Sequence, residues 1–152
     1  MYSIECGEEF AYSTALESKL LDEVIAFSRK SSDIKLVLGS SIGASDFYEE
    51  QARINGFLPL SATKKDRDDF LAKAVDLGVK SINMEVVAFC GFCKQLAIPA
   101  CAIDAIVVER NKGDEVRISY LEQQQILNKA FKLIIEFILS KLKHSDEQGR
   151  VK

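Results

Sequence analysis

Apolar positions along this chain follow two periods, and their alternation predicts the elements. Tyr2 to Ala11 reads as a strand with a turn at Gly7. Leu16, Leu20, Val24 and Phe27 then recur at helical spacing. That run opens on Thr14-Ala15-Leu16-Glu17, which resembles a capping box, and closes on Arg29 and Lys30, cations suited to a last turn. Ser31 to Asp33 breaks the pattern, and Ile34-Lys35-Leu36-Val37-Leu38 reads as a short apolar strand inside a sheet. Gly39 to Lys65 is irregular by composition, and loops of that length in a compact domain are often functional. Asp66 is expected to cap the next helix, whose stripe is Phe70, Leu71, Ala74 and Val75 and whose stop is Gly78. Val79 to Ile82 is a brief strand, Glu85 to Ala97 an apolar helix expected to be buried, and Pro99 to Val108 a further apolar strand. Glu109 to Val116 is a charged loop around Gly113. Glu122 to Lys143 is a long amphipathic helix, with Ile126, Ala130, Leu133, Phe137 and Ile138 opposite Lys129, Lys132, Glu136 and Lys143. A polar, frayed tail is expected from His144. Strands alternating with helices predict an α/β architecture, read as one domain over 1–143 with a tail over 144–152.

Composition narrows the function classes. Of 152 residues, 47% are apolar, enough for a core, and 28% are charged. Lys and Arg total 20 against 23 for Asp and Glu, so no basic field points to nucleic acid or an anionic membrane. Met1 to Glu9 lack a signal-peptide core, and no uncharged apolar run reaches membrane-spanning length. With four cysteines and no secretory signal, the expectation is a cytoplasmic protein with reduced thiols.

Several groups could carry chemistry. Gln51 and Arg53 stand two apart, and in an extended segment such residues project to the same side. A carboxamide beside a guanidinium complements a flat ligand edge of alternating acceptors and donors, such as that of a pyrimidine-2,4-dione. Phe47 could stack on such a ring; equally, a Gln and an Arg in a polar loop are commonly plain surface. Glu85 lies where a strand meets a helix, the edge at which α/β folds bind ligands. It suits either two vicinal hydroxyls, as in a ribose, or a first-turn acid favoured by the helix dipole. Arg110 stands at a similar strand end, and a solvated charge is its plainer reading. Cys90 and Cys93 have the spacing of a redox motif but fall inside a helix rather than at its start, so they read as packing residues. The single histidine, His144, argues against a serine triad or a zinc site, and Gly39 to Gly43 is not followed by the Gly-Lys-Ser/Thr of a P-loop.

Three stretches taken together resemble the uridine phosphorylase family: Phe47-Tyr48-x-x-Gln51-x-Arg53, Gly78-Val79-x-x-Ile82-x-Met84-Glu85, and Glu109-Arg110-x-x-Gly113-Asp114. They fall in the family's order and at compatible spacing, and the residues around Cys6-Gly7 resemble the segment before them. The resemblance implies a three-layer nucleoside phosphorylase-like α/β fold, a mixed β-sheet flanked by helices. It implies reversible phosphorolysis of uridine to uracil and ribose 1-phosphate in pyrimidine salvage. Gln51 and Arg53 would match the uracil-recognising pair, Phe47 the stacking aromatic, and Met84 and Glu85 the ribose contacts, with Glu85 on the 2′ hydroxyl. Arg110 would match the arginine near the uracil carbonyl, and Val107 and Val108 an apolar wall. Arg53 and Glu85 are the expected catalytic pair. Phosphate is the co-substrate and no metal or organic cofactor is implied, while association into a dimer or ring of dimers is.

The resemblance also has departures. The family usually carries an acid at or beside Asn83, and Val86 stands where a small polar residue is commoner. In length the chain matches only the C-terminal half of a family member, as though truncated on its N-terminal side. The phosphate loop, the phosphate arginines and the histidine donated across the subunit interface have no counterpart. The expectation is a chain that binds uracil-type ligands poorly, does not turn uridine over alone, and exposes apolar surface. The alternative is a non-catalytic nucleoside-binding or subunit-modulating paralogue.

Overall fold

The structure is a computed structural model, and it describes residues 2–5, 8–11, 13–15, 18–31, 34, 36–56 and 61–149. Its elements are β1 (Tyr2–Glu5), β2 (Glu8–Ala11), α1 (Ser18–Ser31), β3 (Ser40–Gly43), α2 (Lys64–Asp76), β4 (Val79–Asn83), α3 (Val86–Gln95), a 3₁₀ turn (Arg110–Lys112) and α4 (Tyr120–Gly149). They fall into two compact units. One holds 1–17 and 37–117, the other 18–36 and 118–152.

In the first unit, β1 and β2 form an antiparallel hairpin, with Tyr2 opposite Ala11 and Glu5 opposite Glu8. Gly7, the expected turn residue, lies outside the described residues. β3 and β4 form a parallel pair with Gly43 beside Asn83. Parallel neighbours need a crossover, and α2 supplies it. The start of α2 is a full capping box. Thr63 is the N-cap and Asp66, expected to be the cap, is instead its third residue and bonds back to the Thr63 N–H at 2.8 Å. Leu71 and Ala74 form the buried stripe, with Phe70 half-buried and Val75 exposed. Gly78 stops the chain with φ +78°, a conformation open to glycine without strain.

α3 begins three residues after Asn83 and packs against β3. The approach is close: a Cβ on Gly43 would come within 2.1 Å of Val87 Cγ2. The expectation that this helix is buried all round is corrected. Cys90, Gly91 and Cys93 are buried, while Phe89 and Phe92 are 46% and 62% exposed. A three-residue spacing gives one inward face, so the intervening aromatics point outward. The helix also ends earlier than its apolar run. Ala97 adopts φ +53°, and Ile98 N–H bonds to Cys93 O at 2.9 Å, a Schellman-type close.

Two further expectations are corrected. Neither the described part of 34–38 nor 99–108 joins a ladder, and the strand in this region is Ser40–Gly43, inside the stretch read as irregular. Both segments have strand-like composition, but a strand requires backbone pairing, and among the described residues neither makes a ladder. Val37, Leu38 and Ile106 are accordingly exposed.

The second unit is a helix pair. α1 buries Val24 and Ser28, and α4 buries Leu133 completely. Phe27 meets Phe137 edge-on at 5.6 Å, and Lys141 reaches Glu23 at 2.6 Å. The Lys141 ammonium holds the Glu23 carboxyl below its ordinary range. The capping box expected at Thr14 to Glu17 lies partly outside the described residues. A second box, unforeseen, opens α4: Glu122 Oε2 accepts from Ser119 N–H at 2.8 Å, and Ser119 Oγ accepts from Glu122 N–H at 3.2 Å. The helix runs past Lys143 to Gly149, where a frayed tail was expected. Phe131, Ile135, Ile138, Leu139 and Leu142 remain exposed along α4, Ile138 among them despite its place in the expected apolar stripe. No helix among the described residues is long and apolar enough to cross a membrane.

Candidate functional site

The parallel pair sends β3 and β4 to the same edge, where Ala44 N–H bonds to Asn83 O at 2.8 Å. The chain leaving β3 does not continue extended, as the Gln51–Arg53 spacing had suggested. It folds into successive tight turns. The Asp46 carboxylate accepts from Tyr48 N–H at 2.6 Å and Glu50 N–H at 3.1 Å, and Arg53 N–H closes back on Tyr48 O at 2.8 Å. Ala52, between the two candidate residues, takes φ +52°. The consequence is burial: Gln51 is 4% exposed and Arg53 6%.

The chain's second half completes this cluster. Arg53 NH1 donates to Asp114 O at 2.6 Å. Arg110 Nε donates to Asp114 Oδ1 at 2.9 Å, and Arg110 NH2 to Gln51 O at 2.8 Å. Arg67, from α2, stands 3.6 Å from Asp114 Oδ2. One buried carboxylate thus holds two guanidinium groups, and its backbone holds a third. Burial, and then the Arg110 cation, lower the Arg53 pKa, and Asp114 opposes them. Arg53 lies over the Phe47 ring at 4.1 Å, so it covers one face of that ring, and Tyr48 meets the ring edge-on at 5.3 Å. Phe47 stays about half exposed. Arg53 Nε and Arg110 NH1 are buried with no acceptor among the described residues. A buried donor left in that state costs about 1–3 kcal/mol, which a ligand acceptor would recover.

Met84 and Glu85 follow β4, and both are exposed. Glu85 Oε2 accepts from Met84 N–H at 3.1 Å. Among the described residues no hydrogen bond joins either to the arginine cluster. Val107 and Val108 are half-buried in the segment that leads to Arg110. The structure therefore brings Phe47, Gln51, Arg53 and Arg110 together and places Met84 and Glu85 at the end of the neighbouring strand. Asp114 was not singled out from the sequence, although its acid charge four residues after Arg110 was a usable signal. Arg67 carried none.

The second cysteine pair reading is testable. Cys90 and Cys93 are free and buried, and burial raises the Cys90 pKa, which disfavours the reactive thiolate. Iodoacetamide at neutral pH should label these two thiols in the folded protein at least about tenfold more slowly than after denaturation, as read by peptide mapping. Equal rates would show a reactive pair.

The chain has clear relatives. Residues 6–140 match the family model described as Phosphorylase superfamily. The chain is 30% identical over 113 residues to mouse uridine phosphorylase 1, covering 74% of this chain and 36% of that protein. It is 31% identical over 114 residues to the inactive uridine phosphorylase B of Schistosoma mansoni, covering 74% and 38%. Among solved structures, Schistosoma mansoni uridine phosphorylase in complex with 5-fluorouracil superposes with a TM-score of 0.88 at 25% identity, over 94% of this chain and 50% of that one. A uridine phosphorylase of the oomycete Phytophthora capsici gives 0.84 at 28% identity, over 91% and 46%. The chain thus spans half or less of the length of the relatives it matches.

Proposed function

Because this chain belongs to the phosphorylase superfamily, we propose that it forms the nucleoside-recognising part of a uridine phosphorylase, an enzyme that reversibly converts uridine and phosphate into uracil and ribose 1-phosphate. The observation that carries this reading is the burial of Arg53 and Arg110 around Asp114, each with a nitrogen still lacking an acceptor. Cleavage of the glycosidic bond leaves negative charge on the departing uracil. A fixed, water-excluded guanidinium stabilises that charge without reorganising. Asp114 holds Arg110 and the Asp114 carbonyl holds Arg53, so both cations are in place before a ligand arrives.

In this reading Gln51 and Arg53 take the base edge, Phe47 offers its uncovered surface to the ring, and Arg110 faces a carbonyl. Met84, Val107 and Val108 supply apolar contact. Glu85 accepts from a ribose hydroxyl at the strand end. Relatives named as uridine phosphorylases, and neighbours solved with uracil and thymine, support the choice of base. Phosphate is the co-substrate, and the reaction belongs to pyrimidine salvage in the cytoplasm, in a homo-oligomer.

Recognition and turnover are separable experimentally. NMR titration of the 152-residue protein with uracil should give weak, saturable shifts at Arg53 and Gln51 that adenine does not produce. Uracil release from uridine with saturating phosphate should stay near the blank rate, because the resemblance assigns phosphate contacts to residues this chain does not match. Equal shifts with adenine, or none with uracil at millimolar concentration, would overturn the base assignment. Glu85→Gln should weaken uridine binding while leaving 2′-deoxyuridine within about twofold, since only uridine offers the 2′ donor to a charged acceptor. A parallel loss for both ligands would return Glu85 to a helix-start acid.

A further inference from the structure

Asn83 is engaged at both ends of its carboxamide. Its Nδ2 donates to Ser41 Oγ at 2.7 Å and to Asp104 Oδ2 at 3.1 Å. Its Oδ1 accepts from Val86 N–H at 3.0 Å and Glu85 N–H at 3.3 Å. Asp104 is fixed in turn by Ser81, whose hydroxyl donates to the same oxygen, and by Ser41 Oγ at 3.5 Å. Ser81 Oγ also stands 2.8 Å from Ser41 Oγ, within hydrogen-bond distance. The cluster thus ties β3, β4 and the 99–108 segment to the first turn of α3.

The chemistry of this cluster has a direction. A carboxamide is ambiguous, because either end can face a hydroxyl or another amide. A carboxylate is not, because it only accepts. Asp104 therefore draws the amino end of Asn83 toward itself and leaves the carbonyl end facing α3, where unpaired helix N–H groups need acceptors. Glu85 makes no side-chain cap of its own there. The backbone from Met84 to Val86, and with it the Glu85 carboxylate bonded to Met84 N–H, takes its place from Asn83.

We propose that Asp104 is a positioning residue for Glu85, acting through the orientation of the Asn83 carboxamide. The proposal rests on the reading of Glu85 as the ribose acceptor. Asp104 touches no ligand. It acts by making one of two amide orientations the stable one, and so sets how well Glu85 discriminates a 2′ hydroxyl from a 2′ hydrogen.

The test compares uridine, 2′-deoxyuridine and uracil binding to the full chain, with amide hydrogen exchange at Glu85 and Val86. Asp104→Asn lets the two carboxamides settle either way. The uridine to 2′-deoxyuridine affinity ratio should fall about fivefold, as expected from partial loss of a charge-assisted hydrogen bond. Uracil affinity, which involves no ribose, should stay within about twofold and so reports that the fold is intact. Exchange at Glu85 and Val86 should quicken. Asn83→Asp alone sets two carboxylates against each other and should lower the ratio as well. The double variant Asn83→Asp, Asp104→Asn exchanges donor and acceptor. A carboxylate then caps α3 and a carboxamide donates to it, and the ratio should recover. An unchanged ratio in Asp104→Asn overturns the proposal whatever the exchange does, and so does a double variant no better than the singles. If the parent binds no nucleoside, the function reading fails, and the exchange arm decides alone. Faster exchange in Asp104→Asn, reversed in the double variant, sustains the Asp104–Asn83 coupling, and unchanged protection overturns it.

Discussion

Asp114→Ala should destabilise the protein by about 3–5 kcal/mol, the range for removing one partner of a buried ion pair. The Asp114 side chain is 4% exposed, and it faces Arg110 at 2.9 Å and Arg67 at 3.6 Å, whose own side chains are only 11% and 15% exposed. Truncation leaves Arg110 without its carboxylate and Arg67 with Asp68 alone, in a place with little water. The effect then includes their mutual repulsion as well as the lost bonds. For a chain of this size the midpoint of thermal unfolding should fall by roughly 6–20 °C. Asp114→Asn keeps an acceptor oxygen for Arg110 and should lose less. Urea denaturation of both variants measures this. A loss below about 1 kcal/mol for Asp114→Ala would mean that water already reaches the cluster and screens it.

Arg53→Ala should remove uracil recognition, weakening binding by about 2–4 kcal/mol, or roughly 30- to 1000-fold. The size follows from burial. A charged donor held in a water-poor site acts on a ligand carbonyl far more strongly than one in solvent. Arg53→Lys separates charge from shape, because an ammonium retains the charge but not the planar fork, and it should recover only part of the loss. NMR titration with uracil reads the affinity, and thermal unfolding of the same samples shows whether the fold survives. Uracil bound by Arg53→Ala within twofold of the parent would place base recognition elsewhere.

The residues of the cluster proposed to recognise the base were legible in the sequence, and their geometry was not. Gln51 and Arg53 were singled out by spacing on the assumption of an extended segment, yet the chain turns there on Asp46 and a left-handed Ala52. Helices α2, α3 and α4 followed from periodicity because helical patterning is local. The segments 34–38 and 99–108 misled for the opposite reason. Their composition favours extension, but a strand is defined by a neighbour that local sequence does not name. Of the cluster of Ser41, Ser81, Asn83 and Asp104, the sequence marked only Asn83, as a departure from the family pattern. The bonds that reach Asp104 span 21 to 63 positions, and each member is an ordinary polar residue in its own stretch.

The bond from Arg53 to Asp114 spans 61 positions. That separation sets an order of events during synthesis. The turns from Asp46 to Arg53 can close on local bonds as soon as they are made. The guanidinium they present has no carbonyl to hold it until residue 114 is added, which at cellular elongation rates is roughly 3–12 s later. In that interval an arginine destined for burial is solvated, and the helix α2 forms with Arg67 paired to its neighbour Asp68 but not yet to Asp114. The cation cluster is therefore a late assembly. Under the proposed function, a pyrimidine present during translation would have nothing to select until the last of these parts leaves the ribosome, and would then act on the newly closed form by mass action.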